Sequence, residues 1–317
     1  MNLSVFATVL AMDLVSRVGH MALRVPDLDA AVGFHSEVLG LVETERDGPV
    51  SYLTCNERHH ELILVERRDG ARGYEHIGLE VRDPVTLERA RSGIAAAGGE
   101  LIGSTYDGEP GIDRAALVRG PGGHVFKLFV GMEQGPAPAA GDRVTKFEHV
   151  SIKARGLGPT ERFVERGLGF RFSDRLGRTA SWWHCDADHH GMALVFGPRP
   201  ELSHYAWSAT DLNAMGRICD RLAARGGKLI WGPSRHGPGN NLFIYFHDAA
   251  GAMIEICAEL AAMPPAGDYQ PRQWPGGLGA INQWGGPPPP RFLLTGFPIA
   301  KGTPRPIVST RREEKVA

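Results

Sequence analysis

The sequence predicts an α+β fold of four βαβββ modules paired into two duplicated domains. Short strand-like runs, bounded by turn residues, alternate with single helical stretches. The whole pattern then returns after a Gly/Pro/Ala linker, at nearly constant offsets of 129, 129, 130 and 128 residues. A chain of 317 residues has room for two domains with full cores.

The elements follow in order. Val18–Val25 reads as a strand, and Pro26-Asp27-Leu28-Asp29 as a helix start. Ala30, Ala31, Phe34, Val38 and Leu39 recur at helical spacing until Gly40. Leu41–Arg46, Val50–Cys55 and Glu61–Glu66 are three short strands. A second module opens at Tyr74–Val81, with a helix from Pro84 to about Ala97 and a last strand through His124–Phe129. Lys146-Phe-Glu-His149 repeats the first strand, Gly167-Leu-Gly169-Phe170 repeats Val38-Leu-Gly40-Leu41, and Cys185–His190 repeats Cys55–His60. Arg225–Ile230 repeats Ala97–Ile102, and Leu242–Phe246 with Ala252–Cys257 form two strands around the turn at Asp248–Gly251. The expected division is a leader (1–16), an N-terminal domain (17–132), a linker (133–145), a C-terminal domain (146–260) and a tail (261–317).

The apolar start, Leu3–Leu14, lacks a basic flank and is interrupted by Asp13, which argues against a signal peptide. It is too short to span a bilayer, and reads as a strand or helix packed on the first domain, with Met12 an alternative start. The tail holds 11 of the 23 prolines and so excludes another module. Its Trp274, Trp284, Phe292 and Phe297 point to a wrapping arm or an oligomer contact, with only Arg311 onward frayed. Those aromatics are expected as packing residues rather than as a substrate lid.

A net charge of −1 gives no polyanion-binding signal, which excludes nucleic acid as the expected partner. Cys55, Cys185, Cys219 and Cys257 show no disulfide or CxxC spacing and fit a reducing cytoplasm. A soluble cytoplasmic protein with no membrane partner is expected.

Duplication allows one half to be compared with the other. His20, His76 and Lys127 stand 56 and 51 residues apart; His149, His204 and Glu255 stand 55 and 51 apart. Glu255 lies in the apolar run Met253–Cys257, where a carboxylate must be paired, exposed or bound to a metal. Two imidazoles and a carboxylate from three strands make a facial triad suited to non-haem Fe(II), with Mn(II) also accommodated. Lys127 puts a cation where an anionic ligand is needed, so the first half is expected to hold no metal. His236 and Tyr245 correspond to Gly108 and Leu117, so the half with the carboxylate also carries an extra His and Tyr. Taken singly, His149 reads as a hydrogen-bonded histidine, Tyr245 as a packed aromatic and Cys257 as a buried thiol. His35, His184 and His247 fit no pattern and read as structural.

These residues resemble the type I extradiol ring-cleaving dioxygenases of the vicinal oxygen chelate superfamily, of the 2,3-dihydroxybiphenyl and catechol 2,3-dioxygenase kind. The resemblance covers about residues 17 to 260. It implies a glyoxalase-type fold, metal ligation by His149, His204 and Glu255, and cleavage of a catecholic ring beside a hydroxyl with both atoms of O2 incorporated. The second of a His-His pair maps onto His190, which the resemblance makes an acid/base; His189 is the rival, since the interval to His204 is one residue short. His236 and Tyr245 are implied to bind and deprotonate a substrate hydroxyl. Trp182, Trp183, Trp207 and Trp231 suit an apolar or bicyclic catechol, or belong to the core. A glyoxalase-like lyase, a 4-hydroxyphenylpyruvate-type dioxygenase and a non-catalytic ligand-binding protein are the alternatives. A homo-oligomer is expected.

Overall fold

The computed structural model describes residues 14–302, apart from 68, 104, 105, 108, 140, 142 and 265–267. The leader before Leu14 and the end expected to fray therefore lie outside the described residues, as does Gly108.

The first half begins with β1 (Val15–Val25) and α1 (Leu28–Phe34). Asp27 caps α1 by accepting from the Ala30 amide at 2.9 Å. The helix widens into a π turn over His35–Leu39 and stops at Gly40, whose φ of 77° favours a residue without Cβ. Three strands follow, β2 (Val42–Asp47), β3 (Val50–Thr54) and β4 (Leu62–Glu66). The next module runs through β5 (Gly73–Val81), α2 (Pro84–Ile94), β6 (Glu100–Leu101), β7 (Tyr106–Asp107), β8 (Ile112–Arg119) and β9 (Val125–Met132). The helix ends three residues before Ala97, because the chain turns there toward Gly98 at φ 86°.

The second half repeats the plan with β10 (Lys146–Ala154), α3 (Leu157–Arg162), β11 (Arg171–Leu176), β12 (Ala180–His184) and β13 (Met192–Phe196). Its other module holds β14 (Glu201–Ser208), α4 (Leu212–Ala224), β15 (Trp231–Arg235), β16 (Leu242–His247) and β17 (Met253–Ala258). The tail adds β18 (Arg272–Trp274), α5 (Pro290–Leu294) and β19 (Phe297–Pro298).

Each half is one sheet built outward from a central antiparallel pair, β1/β5 or β10/β14. Parallel neighbours flank it: β4 and β9 in the first half, β13 and β17 in the second. The three strands expected to carry ligands, β10, β14 and β17, are thus adjacent, and so are β1, β5 and β9. One apolar core runs through both halves, with Phe126 of β9 against Phe163 beyond α3 at 5.8 Å between ring centres. Backbone bonds Val15 N to Leu168 O (3.2 Å) and Val144 N to Leu39 O (3.0 Å) stitch the halves together.

The tail is a wrapping arm. Strand β18 pairs with the edge strand β11, β19 with β14, and Ile299 bridges to Tyr74 of the first half. Pro290 opens α5, where a missing amide hydrogen costs nothing.

Candidate metal and catalytic site

The register of the central strands brings the three expected ligands together. Ser151 of β10 stands opposite His204, and Ala206 of β14 opposite Glu255, while β10 carries a register shift between Phe147 and Val150 that spans His149. His149 Nε2 lies 3.2 Å and His204 Nε2 3.1 Å from Glu255 Oε2. One ligand atom from each residue falls within 4.8 Å of the others, and all three residues are buried. Two bonds orient the carboxylate: Asn241 Nδ2 donates to Oε1 at 3.0 Å and Tyr245 OH to Oε2 at 2.7 Å.

Electrostatics put Glu255 and His204 in the form a cation binds. Burial alone would raise the Glu255 carboxyl, but His149 and then His204, by charge and hydrogen bonding, outweigh it and hold the group well below the usual range. Burial lowers His204, against the pull of Glu255, so its imidazole is neutral. Two imidazoles and an ionised carboxylate sharing one point is the donor set of a facial metal triad, and the residues present fit a divalent ion.

His236, Tyr245 and His190 surround this point. Burial brings His236 down to about 4, opposed in part by Glu255 and by its bond to a carbonyl. Its Nδ1 lies 2.5 Å from Ile281 O, which only accepts, so neutral His236 carries its proton there. The bare Nε2 then faces Tyr245 OH at 3.0 Å. Tyr245 has one proton and two acceptors for it, His236 and Glu255. Burial, reinforced by Glu255, keeps its phenol well above the ordinary range.

His190 lies in the turn just before β13, not in the strand itself. Its ring sits 4.4 Å from that of His149 and lines the cavity above the triad. His189, the rival, turns away to Asp174 and Tyr269. Burial lowers His190 well below 6.5, with His149 and His189 adding to the effect. Gly239, at φ 75°, lets the loop between β15 and β16 pass close by; a Cβ there would meet His190 Cε1 at 3.2 Å.

The cavity, about 280 Å³, opens over the triad. Its walls away from the ligands are mostly apolar and include Trp182, Val195, Phe196, Trp231 and Phe292. The four tryptophans of the second half therefore divide: Trp182 and Trp231 reach the cavity, whereas Trp183 and Trp207 are core residues. Among the tail aromatics, Phe292 corrects the expectation of packing alone. It packs on Trp231 and Tyr245, at 4.8 and 4.7 Å between ring centres, and forms part of the cavity wall. His35 bonds Ala31 O and Tyr205 OH, and His184 bonds Ser173, as expected of structural histidines.

The first half keeps the imidazoles and replaces the carboxylate by a cation. His20 Nε2 and His76 Nε2 are 3.1 Å apart. Lys127 forms a buried ion pair with Glu109. Its ammonium occupies the strand position of Glu255, and burial, with Lys127 adding a repulsion, holds His20 and His76 well below 6.5.

Sequence reasoning missed Asn241, Asp174 and Phe292. Asn241 sits in a Gly/Pro/Asn loop where any Asn reads as a turn residue, and no spacing marked the others. The half-to-half offset that singled out Tyr245 also applies to Asn241, whose counterpart is Asp113.

Comparison with known proteins bears on the family and the fold. Residues 17–128 and 146–256 each match the family described as the Glyoxalase/Bleomycin resistance protein/Dioxygenase superfamily. A metapyrocatechase of Pseudomonas sp. (strain CF600) is 26% identical over 264 residues, 76% of this chain and 85% of the relative. A manganese-dependent 2,3-dihydroxybiphenyl 1,2-dioxygenase of Geobacillus genomosp. 3 is 23% identical over 287 residues, 82% of this chain and 90% of the relative. The fold is shared with the Mn(II)-bound glyoxalase from Novosphingobium aromaticivorans, at a TM-score of 0.84 and 24% identity, covering 94% of this chain and 99% of that one.

Proposed function

We propose that this chain, which belongs to the Glyoxalase/Bleomycin resistance protein/Dioxygenase superfamily, is an extradiol dioxygenase that opens a catecholic ring beside a hydroxyl and adds both atoms of O2. The observation that carries this reading is the set His190, His236 and Tyr245 around His149, His204 and Glu255, within one half of a duplicated chain. A ligand-sequestering protein has no use for His190, His236 and Tyr245 as further proton-handling groups around the ligands.

His149, His204 and Glu255 would hold a divalent ion, for which we propose Fe(II), with Mn(II), the metal named for one relative, as the alternative. When bound, that ion supplies a Lewis acid and a meeting point for an anionic catecholate and O2. The protein does the rest. Tyr245 receives the proton of a substrate hydroxyl as it passes its own to the bare Nε2 of His236. His190, on the cavity side of His149, takes and returns the proton that ring opening requires. Asn241 and Tyr245 keep the Glu255 carboxylate turned toward the ligand point. The apolar wall of Trp182, Val195, Phe196 and Phe292 excludes water and suits a catechol with an uncharged, apolar substituent.

The substrate is then a small catechol used in aromatic degradation, and the setting a reducing cytoplasm that keeps the free cysteines and Fe(II) reduced. No described helix is long and apolar enough to cross a membrane. We further propose a homo-oligomer, with no nucleic-acid partner.

The test is oxygen uptake and visible absorbance with protein loaded anaerobically with Fe(II) or Mn(II). Catechol, 3-methylcatechol and 2,3-dihydroxybiphenyl form the panel, and Glu255→Ala the control. Oxygen consumption with a yellow product, absent in the control, is the expected result. Metal binding without turnover of any member would move the reading to the lyase, and no metal binding to the sequestering protein.

A further inference from the structure

We propose that Asp174 acts through His189 to fix the tautomer of His190, so that His190 carries its proton on Nδ1 and turns a bare Nε2 to the cavity. The consequence for turnover rests on the dioxygenase reading; the tautomer itself does not.

The inference comes from counting protons along a chain of bonds. Asp174 of β11 is buried and receives the Tyr269 hydroxyl at 2.8 Å and the Arg272 amide at 2.7 Å, both on Oδ1. Trp274 Nε1 donates to Oδ2 at 2.8 Å, and His189 Nε2 lies 3.2 Å from the same oxygen. Burial pushes this carboxyl up, but the donors, His189 first, outweigh it and keep it below the usual range, so it is an acceptor only. Tyr269 has spent its one proton on Asp174, so it too can only accept from His189 Nε2, 3.1 Å away. Two acceptors face that nitrogen, which must carry hydrogen.

A His189 ring that carries its single proton on Nε2 has a bare Nδ1. That atom lies 3.0 Å from Nδ1 of His190, and a hydrogen bond between them needs the proton on His190. The Nε2 of His190 is left with its lone pair on the cavity side. Ser173 holds the pair in place by donating to His189 O at 2.6 Å.

The first half contains an unsealed version of the same chain. His59 Nδ1 and His60 Nδ1 are 2.9 Å apart, and His59 Nε2 lies 3.3 Å from Glu45, the residue that aligns with Asp174. Glu45 is 21% exposed at its side chain, against 2% for Asp174. The three tail donors that bury and orient Asp174 belong to the half with the carboxylate ligand. Fixing a histidine tautomer by a buried carboxylate is how the aspartate of serine protease triads contributes, and the amide replacement there is severe because it reverses the tautomer.

The experiment uses full-length protein with 15N-labelled histidine, loaded with diamagnetic Zn(II), and reads the protonated nitrogen of His190 by NMR. His190→Asn assigns the signal. The expected result is a protonated Nδ1 and a bare Nε2. In Asp174→Asn the two donors on Oδ1 keep the amide carbonyl there and turn its NH2 to His189, so the His190 proton should move to Nε2. With the active metal, kcat for the preferred catechol should fall by about 10²-fold or more, with KM and bound metal unchanged. Trp274→Phe, which removes only an outer donor, should keep the wild-type tautomer. A proton on Nε2 of wild-type His190, or an unchanged tautomer in folded Asp174→Asn, overturns the proposal. Because the wild-type spectrum needs neither a variant nor turnover, it decides the point if Asp174→Asn fails to fold or the enzyme proves not to be a dioxygenase.

Discussion

The difference between the halves comes down to one strand position, occupied by Lys127 in β9 and Glu255 in β17. The same arrangement of imidazoles surrounds a fixed ammonium in one half and a carboxylate in the other. Lys127 and Glu109 are both about 1% exposed at their side chains, so neither charge reaches water. Lys127→Met should therefore cost roughly 3–5 kcal/mol, because it removes one member of a buried ion pair. Urea unfolding measures this, and Lys127→Met/Glu109→Gln should recover most of the loss. A cost below about 1 kcal/mol for the single variant would mean that the pair is not holding the first half together. The position was legible in the sequence, since the intervals between His, His and Lys or Glu match across the repeat. Glu109 was not, because its counterpart in the aligned loop is Gly237 and no spacing ties it to Lys127.

Elements were read best where a residue is forced by geometry. Gly40 ends α1 where the sequence placed the stop, and the strands before and after Asp248–Gly251 fall where the turn required. The seams between elements were less legible, because they depend on single polar atoms far apart in sequence. His124, just before β9, is an example. Its Nε2 donates to Lys153 O of β10 at 2.9 Å, and its Nδ1 accepts from the Tyr74 hydroxyl. Burial brings this imidazole down to about 4, opposed in part by the Lys153 carbonyl. The folded state thus binds a proton less readily than the unfolded chain, whose histidine titrates near 6.5. Its contribution is complete above about pH 6.5, is lost as pH falls toward 4, and changes no further below that. For a shift of this size the contribution is roughly 3 kcal/mol. Buried His20, His60 and His76 act in the same direction. Urea midpoints of metal-free protein should fall steadily from pH 7 to 4.5, and less steeply in His124→Gln. Equal slopes would show that this seam does not titrate.

At the scale of the whole molecule, the tail turns two stacked repeats into an enclosed site. A proline-rich segment can be read from sequence as something other than a module, but its contacts cannot be, since strands of two or three residues carry no periodicity. Only the fold shows β18 extending the catalytic sheet, Ile281 setting the proton of His236, and α5 laying Phe292 over Trp231 and Tyr245. Lys153 anchors that helix by donating to Leu293 O at 3.0 Å and Thr295 O at 2.6 Å. The proposed metal ligands come from strands inside one half, whereas the cavity wall is completed by the tail. Phe292 should then govern which catechol is accepted more than how fast the ring opens. Truncating it to Ala removes apolar contact worth about 1–3 kcal/mol to a substituent that reaches the wall. In Phe292→Ala, kcat/KM for 2,3-dihydroxybiphenyl should fall by about tenfold or more relative to unsubstituted catechol, with bound metal unchanged. Steady-state oxygen uptake on the two substrates measures the ratio. An equal loss on both would assign Phe292 to support of Tyr245, which it meets edge to face, and place the substituent elsewhere in the cavity.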